Sequence, residues 1–459
     1  MSTSSSNADF HLRSREYTGG IIPTTAVGVA SGSDTVRTVV GQTAIISAVN
    51  LLARSHPRLI VAVPDAPYLL DNPAGASTLR EACRQLAEAV RSSLIVEIAD
   101  AIPQGVDSIG IGIDAPCGTV YVGANRWTAY VANAPIAIKK DKSSVLGACM
   151  AVVLAHGHLY RHALGLSSSV PSSFSLWSLK QTLEPTGPED TGPVDVGVVW
   201  MVGAGAVGAG LAWWLRMIGV VGEWHVIDDD VVKALNVEKS LTFFEEDVRE
   251  RPLTTTLKCD VVARFLPGAV AHNMRWNEFR RLDLPPPDVI IPVANEDSVR
   301  AKVAYLGHPA VIHATTGRAW TSELHRHLSD KDGCMSCRIP ADTPRFECAT
   351  GEVPSPNNEN RNDAALPFLS AGAGLLLAAG LLQIQLGEWE DHERNHWRIH
   401  FDGPTFRSSH WSCSESCELS SAPGSRARNY RGTRWFNLDN EAARFAEENE
   451  ESCIGESET

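Results

Sequence analysis

Three glycines, three aspartates, two lysines and five cysteines in this sequence have the types and spacing to do chemistry. Gly203, Gly205 and Gly208 form a GxGxxG pattern inside GAGAVG. Glycines so spaced allow a tight turn and close backbone approach to a phosphate, and the helix that follows offers unpaired N–H groups and a positive dipole end. Asp228, which opens the run of aspartates through Asp230, stands where an acid can hold a ribose hydroxyl pair. Lys239 and Lys258 follow in the same stretch. A nucleotide site needs cations for the β and γ phosphates, although a lone lysine is ordinarily a solvated surface charge. Asn295, Glu296 and Asp297 sit at the end of a proline-bounded apolar run, 288–293, read as a strand. Ligands gather at strand carboxyl ends in open α/β sheets, so this is the expected next wall of the pocket.

The cysteines fall into two sorts. Cys334 and Cys337 have CxxC spacing, and Cys413 and Cys417 form a looser CxxxC pair. Two pairs supply the four ligands of a tetrahedral structural zinc, with His325, His327 or His410 able to replace one; a redox pair is the alternative for CxxC. Cys348 lies alone between the pairs, among Gly, Pro, Asn and Asp residues. A thiol on such a loop beside a nucleotide pocket is a candidate nucleophile. Cys83, Cys117 and Cys149 stand in apolar surroundings and read as inert buried thiols; Cys453 has no role.

The elements that must position these residues are legible as patterns. Residues 198–202 read as a strand, the segment through Met217 as an amphipathic helix, and the next apolar run as a second strand. Residues 309–316 read as a further strand. Earlier in the chain, helices at 41–54, 78–91 and 145–164 alternate with strands at 58–63, 94–98 and 108–113 and a β-ribbon at 119–132. This alternation predicts a parallel α/β layer. With no GxGxxG after its strands, the first half reads as a nucleotide-type fold without nucleotide chemistry.

The expected layout is a disordered lead at 1–20, a first domain at 21–166 and a linker at 167–193. A second domain follows at 194–436, with an acidic disordered tail at 437–459. Arg13 and Arg15 in the lead either reach a phosphate or are simply solvated. The basic and aromatic segment 428–436 either grips an acidic partner or packs back on the body.

At 459 residues, 44% hydrophobic and 20% charged, the chain has the composition of a globular protein of two or three domains. Forty basic and 54 acidic residues give −14, with no basic stripe, so nucleic acid is not an expected partner. Residues 367–386 approach membrane length but carry Ser370, Gln383 and Gln385 and abut an acidic segment, so a buried helix is expected rather than a membrane span. The N-terminus lacks a basic and apolar leader, and ten cysteines without one argue for thiols or metal in the cytoplasm.

GAGAVG, then IDDDVV and LN.EK, then a lysine, CxxC, a lone cysteine and a second cysteine pair together resemble the ThiF/MoeB superfamily, which includes the ubiquitin-activating enzymes. The match covers about 194–417. The resemblance implies an α/β fold with two Rossmann-like, ThiF-type adenylation domains in tandem, the first degenerate and the second carrying a structural zinc. It further implies ATP and magnesium as cofactors and adenylation of the C-terminal glycine of a ubiquitin-like protein, with thioester formation on Cys348 and transfer to a conjugating enzyme. By position, Gly203, Gly205 and Gly208 become the phosphate loop, and Asp228 and Asp230 join the nucleotide site. Asn236, Lys239 and Lys258 match polar residues that reach ATP, and Cys334, Cys337, Cys413 and Cys417 match the zinc ligands. Lys239 replaces an arginine, Leu235 a serine and Ser240 a glutamine, while Asn295–Glu296 replaces an aspartate–asparagine pair that helps hold magnesium. The inactive-then-active order is similar to activating enzymes of bacterial ubiquitin-like conjugation operons, some of them antiviral. It leaves room for a homodimer.

Three other readings stay open: a peptide adenylyltransferase of natural-product tailoring, a non-catalytic modifier-binding scaffold, and a nicotinamide-dependent oxidoreductase. The last leaves both cysteine pairs and Lys258 without a role.

Overall fold

The computed structural model describes residues from Phe10 to Cys417, apart from 12–13, 16–17, 72–74, 167–169, 171, 190–192, 249–254, 295–296, 305, 307, 309, 318–319, 329–331, 339–365, 387–392, 402, 404 and 416. Cys348, Asn295 and the tail therefore lie outside the described residues.

Two sheets organise the chain. The first has strands β1 (Ala26–Ser31), β2 (Arg58–Ala62), β3 (Ile95–Ile98), β4 (Asp107–Ile111), β5 (Val120–Asn125), β6 (Thr128–Ala132) and β7 (Ser172–Ser175), in the order β3-β2-β1-β4-β5-β6-β7. The second has β8 (Asp195–Val202), β9 (Val221–Ile227), β10 (Val270–His272), β11 (Val289–Pro292), β12 (Ala310–Gly317), β13 (Thr321–Leu328), β14 (His396–His400) and β15 (Thr405–Ser409), in the order β10-β9-β8-β11-β12-β13-β14-β15. In each, the first five strands of that order run parallel and the rest antiparallel. Numbering aside, the second order repeats the first and adds one strand. The two sheets share one strand order, and the parallel layer that the alternating pattern predicts for the first half is present. Residues 172–175, within the expected linker, pair with β6 and belong to the first sheet.

The helices repeat as well. Helix α1 (Val39–Ala53) follows β1, and α2 (Leu79–Val90) follows β2. A 20-residue apolar helix, α3 (Ser144–Ala163), then links β6 to β7. In the second copy α4 (Ala206–Ile218) follows β8, α5 (Lys258–Ala263) precedes β10, and α6 (Pro367–Leu386) runs between β13 and β14.

Helix α6 meets the membrane-span test by length and hydropathy, yet its apolar window is wholly buried. Its glycines explain how. A Cβ on Gly374 would lie 2.6 Å from the backbone of Gly210 in α4, so the two helices approach as only small residues permit. Trp214 Nε1 of α4 donates to the Ala371 carbonyl at 2.8 Å. Across the copies, α3 and α6 pack together, with Gly157 making room for Phe368 and Phe401. Buried Gln383 of α6 donates to the carbonyls of Leu176 and Trp177 in the first copy. These contacts join both halves in one continuous core.

Candidate nucleotide site and cysteine cluster

The phosphate-loop reading rests on what each glycine does. Gly203 has φ +106°, and a Cβ there would lie 2.5 Å from the Ala294 nitrogen beyond β11, so the turn requires glycine twice over. Gly205, the residue before α4, has ordinary extended backbone, and its Cβ would meet nothing within 4 Å. That open space lies at the start of α4, where the first N–H groups of a helix lack intrahelical partners. Gly208 lets α4 close on the loop: a Cβ would sit 2.8 Å from the Gly203 carbonyl oxygen. The three glycines thus divide into turn, approach and packing roles.

Asp228 ends β9 beside this loop. Its carboxylate accepts from the Ala204 N–H at 2.7 Å and from the Asp230 N–H at 2.9 Å, one on each oxygen. A carboxylate has about four lone-pair positions, so acceptor capacity remains for a ribose. Burial pushes the Asp228 carboxyl up, and Lys258 together with those N–H groups only partly offsets it. Asp230 pairs with Lys258, Nζ to Oδ2 at 2.5 Å, and the Lys258 N–H donates to the Asp230 carbonyl. The lysine side chain is mostly buried and the aspartate exposed, so a cation stands at the mouth of the loop region with its partner facing outward. Arg275 pairs with Asp229 at 3.0 Å.

Asn236 supports the chain's own turn. It is buried, and its Oδ1 accepts from the Lys233 N–H at 2.9 Å, which ties down the one-turn helix Ala234–Val237. Its observed acceptor role is thus in the chain's own turn. Lys239 lies in the same turn, half-buried. Asp297 opens the helix Asp297–Ala304, whereas Asn295 and Glu296 fall outside the described residues, which leaves the magnesium expectation unaddressed.

Three residues escaped the reading of the sequence. Arg300 donates to the Ala294 carbonyl at 2.9 Å and pins the segment that Gly203 packs against. Arg54 and Asn50, at the end of α1 in the first copy, reach across to the second. Arg54 donates from Nη1 to the carbonyls of Val237 and Phe243 and from Nη2 to that of Leu241, and Asn50 Nδ2 also donates to Leu241. The stretch that carries Lys239 is therefore held from the other copy. Burial pulls the Arg54 guanidinium down to about 9. An asparagine and an arginine four apart on an otherwise apolar helix were the available signal.

The four paired cysteines do converge: one sulfur from each of Cys334, Cys337, Cys413 and Cys417 lies within 4.8 Å of every other. Cys334 and Cys417 sulfurs are 3.5 Å apart. The Cys334 N–H points at Cys413 Sγ at 3.1 Å and the Ser414 N–H at Cys337 Sγ at 3.4 Å. Backbone N–H groups aimed at sulfur stabilise thiolate, the form that binds metal, so the donor set fits a tetrahedral zinc. Neither His325 nor His327 is in this group, and the looser CxxxC spacing causes no misfit. Cys83 and Cys149 are buried, and burial pushes each thiol up to about 12, in keeping with inert roles.

With this geometry in place, the chain can be set beside known proteins. The profile of the BilD N-terminal domain family matches residues 26–176, which is the first copy through β7. No curated protein matches the chain. Similar solved structures include MccB of E. coli with ATP, 18% identical, which covers 49% of this chain and 66% of that one with a TM-score of 0.37. E. coli MccB with MccA-N7isoASN is 16% identical over 50% of this chain and 67% of that one, with a TM-score of 0.38. The microcin C7 biosynthetic enzyme MccB in complex with N-formylated MccA is 14% identical, covering 66% of this chain and 98% of that one at a TM-score of 0.38.

Proposed function

We propose that this chain uses ATP to adenylate the C-terminal carboxylate of a peptide or small protein, with the second copy as the catalytic half. The observation that carries the reading is the open start of α4 at Gly205, flanked by half-buried Asp228 and by Lys258. In the reaction the substrate carboxylate attacks the α-phosphorus of ATP, an acyl-adenylate forms and pyrophosphate leaves. Charge grows on the phosphate oxygens as this happens. Helix N–H groups are fixed in place to meet that charge, which is how preorganised donors lower a barrier, and the Lys258 ammonium stands close by to join them. For Lys258 to turn to phosphate it must leave Asp230, whose exposed carboxylate is free to swing into solvent. Magnesium would supply further charge neutralisation on the phosphates, and zinc on the four cysteines would tie the turn at Cys334 and Cys337 to the segment at Cys413 and Cys417.

The finer proposal is a ubiquitin-like substrate and a second step. The Cys348 thiolate attacks the carbonyl carbon of the acyl-adenylate, AMP leaves, and the resulting thioester passes to a conjugating enzyme in the cytoplasm. The described geometry is common to this route and to a peptide adenylyltransferase that stops at the adenylate.

Replacing Cys348 by alanine separates them. The two-step route predicts that C348A retains substrate-dependent ATP–pyrophosphate exchange and loses a reductant-sensitive adduct with the substrate. An adduct that survives in C348A overturns Cys348 as nucleophile. A wild-type enzyme that never forms one, yet exchanges pyrophosphate, establishes the one-step reading.

A further inference from the structure

A second donor cluster lies on the antiparallel side of the second sheet, apart from the four cysteines. The strand register places His313 of β12 opposite His325 of β13, and His325 opposite His396 of β14. The rings form a row, with His313 to His325 and His325 to His396 both 4.4 Å between centroids. Glu323, two residues before His325 on the same face, turns its Oε2 toward two of them, 3.5 Å from His325 Nε2 and 3.0 Å from His396 Nε2. The nucleotide site does not use these residues.

Two arrangements explain such a group: a closed hydrogen-bond network, or a metal site. The network reading accounts for part of it. Glu323 Oε1 receives Arg398 at 2.8 Å and the Thr321 hydroxyl at 3.1 Å. It leaves the row itself poorly matched. Both ring nitrogens of His313 are buried without a hydrogen-bond partner, as is Nε2 of His327, whose ring also stacks on His313. Buried polar nitrogens seldom stand without partners. Each neutral imidazole carries one N–H and one lone pair, and His327 gives its Nδ1–H to the Gly333 carbonyl, so His313 and His327 each leave a buried lone pair that a nearby cation would help to satisfy.

We infer a divalent-metal site formed by Glu323, His325 and His396, distinct from the cysteine cluster. The three donor atoms lie within 4.8 Å of one another and all three side chains are buried. Two imidazoles and one carboxylate suit zinc or a neighbouring first-row ion rather than magnesium or calcium, which prefer oxygen throughout. His396 Nδ1 lies 2.8 Å from the Ser409 hydroxyl and accepts the Trp411 indole N–H at 3.2 Å. An indole N–H only donates, so in this arrangement Nε2 carries the proton and donates it to Glu323. An ion on Nε2 requires the proton on Nδ1, where the Ser409 oxygen can accept it and the Trp411 indole must turn away. Arg398 holds the second glutamate oxygen and fixes the carboxylate's aim. His313, stacked on His325, borders the site. The site would clamp β13 to β14. His327, on the same strand face, hydrogen-bonds the Gly333 carbonyl next to Cys334 and so links the clamp to the cysteine turn.

The test counts metals and identifies their ligands, and it needs no enzymatic turnover. Full-length protein purified without chelator should hold two zinc ions per chain by elemental analysis, and the double variant C334S/C337S should hold one. Cobalt added to the metal-free wild type should give thiolate charge-transfer bands from one site and weaker d–d bands without them from the other. H396Q/E323Q should lose only the second set, with an unchanged circular dichroism spectrum to certify folding. One metal per chain in the wild type, none in C334S/C337S, and cobalt spectra of thiolate type alone would overturn the inference. So would two metals retained in H396Q/E323Q.

Discussion

The two copies share a strand order and a helix start after the central strand, and they differ in what fills it. In the second copy Gly205 leaves the start of α4 open. In the first, β1 runs into Gly32, Ser33 and Asp34 and then a short 3-10 turn, Thr35–Arg37, before α1, whose own start is capped by the Thr38 hydroxyl. The carboxylate of Asp114, which follows β4, caps the 3-10 turn. It accepts from the Asp34 N–H at 2.7 Å, the Thr35 N–H at 3.2 Å and the Thr35 hydroxyl at 2.5 Å. The fold offers exposed N–H groups in both copies; one leaves them for a ligand and the other satisfies them with an anion of its own. A cavity of about 440 Å³ persists there, lined by Asp34, Asp100, Asp114 and one cation, Arg80, already engaged by the Val63 carbonyl and Asp100. Three carboxylates against one arginine repel a triphosphate. The first copy instead acts on the second through Arg54 and Asn50.

The comparison breaks most directly at Gly205. Valine there fits the backbone and projects into the open space, so Gly205→Val should cut ATP–pyrophosphate exchange by at least ~100-fold while Tm falls only a few degrees. Exchange at the wild-type rate would remove the second copy as the nucleotide site.

Arg54 tests whether the closed copy supports the open one. Arg54→Met keeps the length of the side chain and leaves the carbonyls of Val237 and Phe243 without this donor, while Asn50 still reaches that of Leu241, at a cost of about 3 kcal/mol. Thermal unfolding should report that loss. If the stretch from Val237 to Phe243 is held for catalysis, KM for ATP should also rise several-fold at temperatures where the protein stays folded. An unchanged KM would confine Arg54 to stability.

How much of this could be read beforehand depends on the kind of signal. The GAGAVG loop, Asp228 and the cysteine pairs were legible because each needs particular residue types at fixed spacing. The alternation of helices and strands in 21–166 was legible because buried parallel strands are apolar runs. β1 was not, since AVGVAS is built of small residues that carry little strand signal; nor was β7, SSFS, whose serines read as linker. Asp114 and Arg54 act over up to 80 and up to 189 residues of sequence through partners fixed only by topology. Asn236 shows the converse: a family position matched by type, with its side-chain oxygen committed to the Lys233 N–H.

Asp114 gives the smallest and most discriminating effect. Asp114→Asn should leave ATP–pyrophosphate exchange unchanged and lower stability by about 1 kcal/mol, the usual worth of a capping carboxylate. Desolvation alone would raise the Asp114 carboxyl, but the Thr35 hydroxyl and the Thr35 and Asp34 N–H groups outweigh it and hold it below the ordinary carboxylate range. A carboxyl depressed in the folded state contributes stability above its unfolded value, about 3.9, and loses that contribution as pH falls through the folded value. The difference in Tm between wild type and Asp114→Asn should therefore be constant at neutral pH and shrink below about pH 4. A difference that stays constant into strong acid would show that shape, rather than the charge of the carboxylate, closes the first copy; exchange lost in Asp114→Asn would show that the closed copy is not a bystander to the chemistry.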